Sequence, residues 1–159
     1  MNLVLFLNHL PVAPEVLLLV GACVVMIADL YAKGERRTLS FVLAQVVLAL
    51  CALATVFVLW GSGGAKYYLF NGLFVADVMS HVLKFACYFA AWAALVYSRQ
   101  WLLDRNLLRG EFITLLLFSL LGMMVLISAS SFLTVYLGLE LMSLCLYAMV
   151  ALNRDSPAS

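Results

Sequence analysis

The stretch SFLTVYLGLELMSLCLYAMVAL, residues 131–152, decides the fold of this protein. It is apolar almost throughout and contains one charged residue, Glu140, near its centre. A helix needs about 20 mostly apolar residues to cross a bilayer core that is about 30 Å thick. The stretch therefore predicts a membrane-spanning helix with one carboxylate near mid-depth.

The composition of the whole chain agrees with a membrane location. Of its 159 residues, 67% are hydrophobic and 11% are charged, whereas soluble domains have roughly 45–50% and about 25%. The chain has too few polar side chains to cover a water-soluble globule, so an integral membrane protein is predicted. The net charge of +1 comes without a concentrated basic face, which argues against a nucleic-acid partner.

Five apolar runs predict an all-α bundle of five transmembrane helices. The runs cover residues 15–31, 39–60, 73–98, 111–127 and 131–152. The segments between them, KGERR, GSGG, DRNLLRG and SASS, have the composition of turns and loops. Glu15 and Glu111 stand at the N-terminal ends of two runs, where the helix dipole favours negative charge, and both are interpreted as capping charges.

The placement of basic residues predicts the orientation of the chain. Alternate connections hold Lys33, Arg36, Arg37, Arg99, Arg105, Arg109 and Arg154, whereas the other connections hold only Lys66. By the positive-inside rule, the N-terminus lies on the outer side and the C-terminal end of this chain is cytoplasmic. Because no Lys or Arg precedes Lys33, the first run is interpreted as a retained helix and not as a cleaved signal peptide.

Glu140 is the first candidate functional residue, because a charge at mid-membrane costs about 2.5–3.5 kcal/mol on insertion scales. At helical spacing it shares a face with Tyr136, Ser143 and Tyr147, and we expect this face to point inward, away from lipid. Two interpretations stay open. The carboxylate is either a structural hydrogen-bonding group or a group on a proton or ion pathway.

The third run contains a second group of ionisable residues. Asp77, His81 and Lys84 lie at positions i, i+4 and i+7, which places them on one helix face. Either these side chains neutralise one another within the membrane, or they form a proton relay in which histidine both accepts and donates. The spacing alone allows both.

Neither a metal site nor a cofactor site is predicted in this chain. Cys23, Cys51, Cys87 and Cys145 lie far apart inside apolar runs and are interpreted as packing residues. The segment GSGG does not join a strand to a helix in the manner of a nucleotide-binding loop.

The sequence resembles subunit N of bacterial NADH-quinone oxidoreductase, respiratory complex I. The resemblance rests on GMMVLISASSFLTVYLGLELMSLCLYAMVALNRDSPAS (Gly122 to Ser159), on LLRGEF before it and on PEVLLLVGA near the start. Its most specific part is the segment from Val135 to Asp155. Proteins of this family have fourteen membrane helices, so the resemblance implies that this chain is an N-terminal fragment or one piece of a split subunit.

The resemblance also implies an organisation and a role. Residues 1–110 correspond to three leading helices, and residues 111–159 to the first two helices of the first inverted repeat with a cytoplasmic end. Glu140 corresponds to a proton-pathway residue that pairs with a lysine on the seventh helix, beyond this chain. Lys84, His81, Asp77, Ser143 and Tyr147 are possible supporting residues for proton transfer.

The implied activity is that of a translocase subunit in the bacterial inner membrane. It would couple electron transfer from NADH to quinone with proton pumping, without a redox active site of its own. NADH, FMN, iron-sulfur clusters and quinone would bind to partner subunits, and the partners of this chain would be the other membrane subunits of the complex and the lipid bilayer. Two alternatives stay open: a sibling subunit or cation/proton antiporter subunit, and a non-transporting membrane assembly protein.

Overall fold

The computed structural model describes residues 10–31, 37–62, 64–104 and 110–152. Within them, five α-helices are long and apolar enough to cross a membrane, which confirms the predicted all-α membrane bundle. The helices are α1 (Ala13–Tyr31), α2 (Arg37–Ser62), α3 (Val78–Asp104), α4 (Gly110–Ile127) and α5 (Phe132–Ala151). A 3-10 turn (Leu10–Val12) precedes α1, and two strands, β1 (Tyr67–Leu69) and β2 (Phe74–Ala76), lie between α2 and α3.

The predicted start of the third helix, at Leu73, is wrong. The strands β1 and β2 form an antiparallel hairpin in which Leu69 pairs with Phe74. Residues 70–73 form its turn, in which Phe70, Asn71 and Gly72 have positive φ angles of 52°, 54° and 84°. An Asn-Gly pair is a common hairpin turn signal, but the apolar residues that follow it are equally compatible with a helix. The other helix ends lie close to their predicted positions, except that α3 continues to Asp104.

The hairpin packs against the connection between α4 and α5. The amide of Val75 donates a hydrogen bond to the carbonyl of Ser128 (2.8 Å), and the amide of Ser130 donates to the carbonyl of Leu73 (3.1 Å). Ser131 caps α5, because its side chain accepts a hydrogen bond from the amide of Thr134. The predicted SASS turn is confirmed, and it is held in place by the hairpin.

Contacts between helix ends show that successive helices run in opposite directions. The N-terminal parts of α1 and α3 meet through an ion pair between Glu15 and Lys84. At the other end of the bundle, the Ser40 hydroxyl donates a hydrogen bond to Asp29 (2.9 Å), and the start of α4 at Gly110 lies against the same carboxylate. We call these two ends the hairpin side and the Asp29 side.

The helix α4 occupies the centre of the bundle and contacts each of the other four α-helices. Its residues Ile113, Leu117 and Leu120 are completely or almost completely buried, and they pack with Leu18 of α1 in the main core. Large apolar side chains cover much of the circumference of the bundle. That distribution suits a bundle surrounded by lipid.

The closest approach between helices joins α4 to α5 at two glycines. A Cβ atom at Gly122 would lie 2.8 Å from the amide nitrogen of Met142, and one at Gly138 would lie 3.0 Å from the carbonyl oxygen of Gly122. Small residues allow this kind of backbone contact between membrane helices. The glycine pair therefore determines which face of α5 is turned towards α4.

Candidate charged sites

Glu140 lies near the middle of the 20-residue helix α5. It is partly buried, as is Ser143, whereas Tyr136 and Tyr147 on the same face are 56% and 70% exposed. The expectation that this face points inward is therefore wrong for the part of the bundle that the structure describes. Gly138 turns the opposite face towards α4, which leaves Glu140 at the periphery of these five helices.

The predicted hydroxyl neighbours of Glu140 have different roles. The Tyr136 hydroxyl interacts electrostatically with the Glu140 carboxylate, in agreement with the helical spacing. Ser143 instead donates to the backbone carbonyl of Glu140 (3.1 Å), as serine commonly does within a helix. Among residues 10–31, 37–62, 64–104 and 110–152, no cation forms an ion pair with the Glu140 carboxylate.

Lys84 is the most deeply buried charged residue among those described, and its partner is Glu15. The Lys84 Nζ lies 2.5 Å from Glu15 Oε1, and the two side chains are 0% and 7% exposed. Glu15 stands in the first turn of α1 as predicted. Its interpretation as a simple capping charge is incomplete, because it is also the counter-ion of a lysine on another helix.

The surroundings of Lys84 enclose its ammonium group. The ring centroid of Phe74, in β2, lies 5.2 Å from Lys84 Nζ, a distance at which the ring face attracts a cation. The hairpin thus covers the ion pair on the hairpin side of the bundle. Residues 74–76 are held as a strand by their pairing with β1, and this pairing places Phe74 over Lys84.

Asp77 and Lys84 do not neutralise each other directly. Asp77 precedes α3 and caps it: its Oδ1 accepts a hydrogen bond from the Ser80 amide (2.7 Å), and its own amide donates to the Ser80 hydroxyl (3.0 Å). These reciprocal bonds form a capping box. The interpretation of the stripe as a mutually neutralising set is corrected accordingly, since the carboxylate next to Lys84 comes from α1.

His81 lies between these two groups and is almost completely buried, with 3% of its surface exposed. The charges of Lys84 and Asp77 both act on its imidazole ring. Its Nδ1 atom is buried and has no hydrogen-bond partner among the residues that the structure describes. A relay through Asp77, His81 and Lys84 stays a prediction.

Further polar side chains extend from the ion pair into the bundle. The Thr55 hydroxyl donates to the carbonyl of Cys51 (2.8 Å) and lies 3.2 Å from the Tyr88 hydroxyl. Cys51 is buried and its Sγ lies 3.8 Å from the carbonyl oxygen of Pro14. The four cysteines carry free thiols; Cys51 and Cys145 are buried, whereas Cys23 and Cys87 are partly buried.

Sequence reasoning missed the role of Glu15, and only a weak signal pointed to it. A glutamate in a first helical turn is ordinary, so its position alone did not suggest a counter-ion. The one hint was Lys84 itself. A lysine inside a membrane span requires a partner, and Glu15 and Asp77 were the two carboxylates predicted at the same end of the bundle.

Comparison with known proteins gives one consistent result. No family model matches the chain. The chain is 50% identical to NADH-quinone oxidoreductase subunit N of Nitrosomonas europaea over 146 residues, which are 92% of this chain and 30% of the relative. It is 46% identical to subunit N of Herminiimonas arsenicoxydans over 154 residues and 43% identical to subunit N of Laribacter hongkongensis over 152 residues. The predicted resemblance is confirmed, and the chain spans about 30% of the length of these relatives.

Proposed function

We propose, from the homology of this chain to part of NADH-quinone oxidoreductase subunit N, that it belongs to the proton-translocating membrane arm of that enzyme. The chain is a multi-pass membrane protein by its five apolar helices and by the relatives that it matches. Its place is the bacterial inner membrane, with the N-terminus outside and the Asp29 side cytoplasmic, as the basic residues predict. Its partners are the other membrane subunits of the complex.

The position of Glu140 carries this proposal. An ionisable group within a membrane helix is a functional candidate by default, and Glu140 has a hydroxyl neighbour in Tyr136 but no cation among the described residues. A carboxyl group inside a membrane helix can give up and accept a proton, so we assign the proton-transfer role in this chain to Glu140.

Redox chemistry belongs to other subunits in this proposal. NADH, FMN, iron-sulfur clusters and quinone bind there, and this chain contributes proton movement. Tyr136 and Tyr147 are the supporting groups on the Glu140 face. Ser143 donates a hydrogen bond to the backbone carbonyl of Glu140. Asp77, His81 and Lys84 belong to a separate site at the hairpin side.

The test compares Glu140→Gln and Glu140→Asp in membranes that contain the assembled complex in matched amounts. Glutamine retains the shape and hydrogen-bonding groups but carries neither charge nor exchangeable acid proton, so proton pumping and NADH-driven quinone reduction should fall. Aspartate retains the charge with a shorter reach and should give intermediate activity. Full activity of Glu140→Gln at normal complex content would show that the carboxylate is structural, which favours the assembly-protein alternative.

A further inference from the structure

The face of α3 that is turned into the bundle carries a series of polar side chains. His81, Lys84 and Tyr88 lie at positions i, i+3 and i+7, which share one side of a helix, and their exposed fractions are 3%, 0% and 3%. We call these three residues the polar stripe of α3. Because α3 begins at Val78 on the hairpin side, the stripe extends from that side about 15 Å into the bundle.

His81 lies at the outer end of the polar stripe, next to the surface of the bundle. It follows the capping box of Asp77 and Ser80 within one helical turn, and Asp77 is partly exposed. The charges of Asp77 and Lys84 both act on the imidazole ring, so the ring lies between a surface group and the buried ion pair. Its Nδ1 atom is buried and has no hydrogen-bond partner among the described residues. A nitrogen in this position is available to exchange a proton.

The ion pair behind His81 is incompletely hydrogen-bonded. Lys84 contacts Glu15 through Oε1, whereas Glu15 Oε2 is buried and accepts no hydrogen bond from the residues that the structure describes. A buried ion pair is favourable only when further hydrogen bonds satisfy its remaining polar atoms. Transfer of one proton from Lys84 to Glu15 removes both charges together with their desolvation cost. The pair therefore has a neutral form within contact distance of its ionised form.

The Phe74 ring supports Lys84 in a further state, in which Glu15 carries an additional proton. In that state the ammonium group has no carboxylate beside it. The ring centroid of Phe74 lies 5.2 Å from Lys84 Nζ, and the ring face attracts a cation whether or not Glu15 is charged. The site thus retains one favourable contact for Lys84 after its counter-ion is neutralised.

Tyr88 marks the inner end of the exchangeable groups. The single hydroxyl proton of Thr55 is donated to the carbonyl of Cys51 (2.8 Å), so in the 3.2 Å contact between the two hydroxyl groups Tyr88 is the donor and Thr55 the acceptor. The hydroxyl proton of Tyr88 is therefore engaged in a fixed hydrogen bond. The groups that are positioned to exchange protons are His81 and the ion pair.

We infer that Glu15 and Lys84 form a second proton-binding site of this chain, which exchanges protons with the hairpin side through His81. Lys84 passes a proton to Glu15, and its neutral amine then accepts one from protonated His81, directly or through one water molecule. His81 is protonated again by water on the hairpin side. The net change is one proton bound to Glu15 and one positive charge gained by the pair, and the reverse steps release that proton.

This inference rests on the proposed function, because that proposal places the hairpin side outside and the chain in a proton-translocating enzyme. Chains of histidine and carboxyl groups serve as proton relays in membrane proteins. The site is distinct from Glu140, since it is formed by α1 and α3 and has its own cation.

The experiment measures protons translocated per NADH oxidised, in membrane vesicles that contain the assembled complex in matched amounts. This ratio does not depend on how much of the complex is folded. His81→Gln removes the titrating ring, and the double variant Glu15→Leu with Lys84→Met removes the binding site. Each should lower the ratio by a common amount, and combining them should lower it no further, because the groups act on one path. Tyr88→Phe is the matched control on the same stripe and should keep the wild-type ratio.

A wild-type ratio in His81→Gln or in the double variant would overturn the inference. An equal loss with Tyr88→Phe would also overturn it, because the effect would then come from packing of the stripe. If His81→Gln does not assemble, the double variant decides: a lower ratio supports the site and a wild-type ratio contradicts it. Glu140→Gln, measured in parallel, separates the two proposals, since normal pumping in that variant counts against Glu140 and leaves the His81 comparison unchanged.

Discussion

Glu15 and Glu140 are both carboxylates in apolar helices, and their surroundings are opposite. Glu15 is buried between helices, beside a lysine whose ammonium group is covered by an aromatic ring. Glu140 lies on a face whose tyrosines are mostly exposed, and the described residues provide it with a hydroxyl group but no cation. The comparison teaches that a carboxylate in an apolar helix does not have one fixed role. Glu15 has its counter-ion within the bundle, whereas Glu140 is the group to which the proposed function assigns proton transfer.

The largest expected effect comes from breaking the buried pair. Lys84→Met leaves Glu15 without its counter-ion and should destabilise the protein by about 3–5 kcal/mol, the usual cost of an uncompensated buried charge. The double variant Glu15→Leu with Lys84→Met removes both charges and should recover most of that stability. The measurement is the thermal unfolding of the detergent-solubilised protein, with complex content in membranes as a second readout.

The matched control for this pair is the double variant Asp77→Asn with Lys84→Met. Because Asp77 caps α3 and does not pair with Lys84, this control should be no more stable than Lys84→Met alone. If stability recovered in the double variant with Asp77→Asn and not in the one with Glu15→Leu, the Lys84 charge would be compensated by Asp77 and not by Glu15. Normal proton pumping in the Glu15 and Lys84 double variant would assign the pair a structural role, in contrast to Glu140.

A smaller effect on stability is expected at the contact between α4 and α5, which fixes the rotation of α5. In Gly122→Ala, the added Cβ would lie 2.8 Å from the Met142 nitrogen, and overpacking of this kind costs about 1–3 kcal/mol. The change should also move the Glu140 face, so proton pumping should fall together with stability. Gly61→Ala is the control, because a Cβ there meets nothing within 4 Å. Equal behaviour of the two variants in unfolding experiments would rule out a tight contact between α4 and α5.

The Phe74 ring over Lys84 should contribute less to stability. Phe74→Leu retains an apolar side chain but removes the ring face, and a buried cation–π contact is worth about 0.5–2 kcal/mol. We expect a loss of stability in that range in the wild-type background. In the Glu15→Leu and Lys84→Met background the loss should be smaller, because no cation remains. A loss of the same size in both backgrounds would attribute the effect to packing alone.

The smallest effect on stability is expected at the Glu140 face. Tyr136→Phe removes the hydroxyl that interacts with the Glu140 side chain, and an exposed polar contact contributes little to stability because water competes for it. Proton pumping should fall measurably but less than in Glu140→Gln. Tyr147→Phe, on the same face and 70% exposed, serves as the control. A larger loss with Tyr147→Phe than with Tyr136→Phe would assign the supporting role to the other tyrosine.

Glu15 and Glu140 also differ in how well the local sequence predicted their positions and neighbours. For Glu140, the helix, its central position and the neighbouring Tyr136 follow from spacing within one segment. The direction of its face did not follow, because Gly122 and Gly138 set the rotation of α5 through a contact between two helices. For Glu15, the position in the first turn of α1 was predicted, but its partner was not, because Lys84 lies on a different helix.

The sequence by itself determined the five membrane helices, the SASS turn and the place of Glu140 within its helix. These features depend on hydropathy and residue spacing summed over short windows, which need no knowledge of neighbouring elements. Only the tertiary structure decided that residues 74–76 form a strand, that Glu15 pairs with Lys84 and that Asp77 caps α3 instead. Each of these outcomes depends on which side chains from distant parts of the chain come within a few ångströms, and at that distance the cost of a buried charge is compensated or left uncompensated.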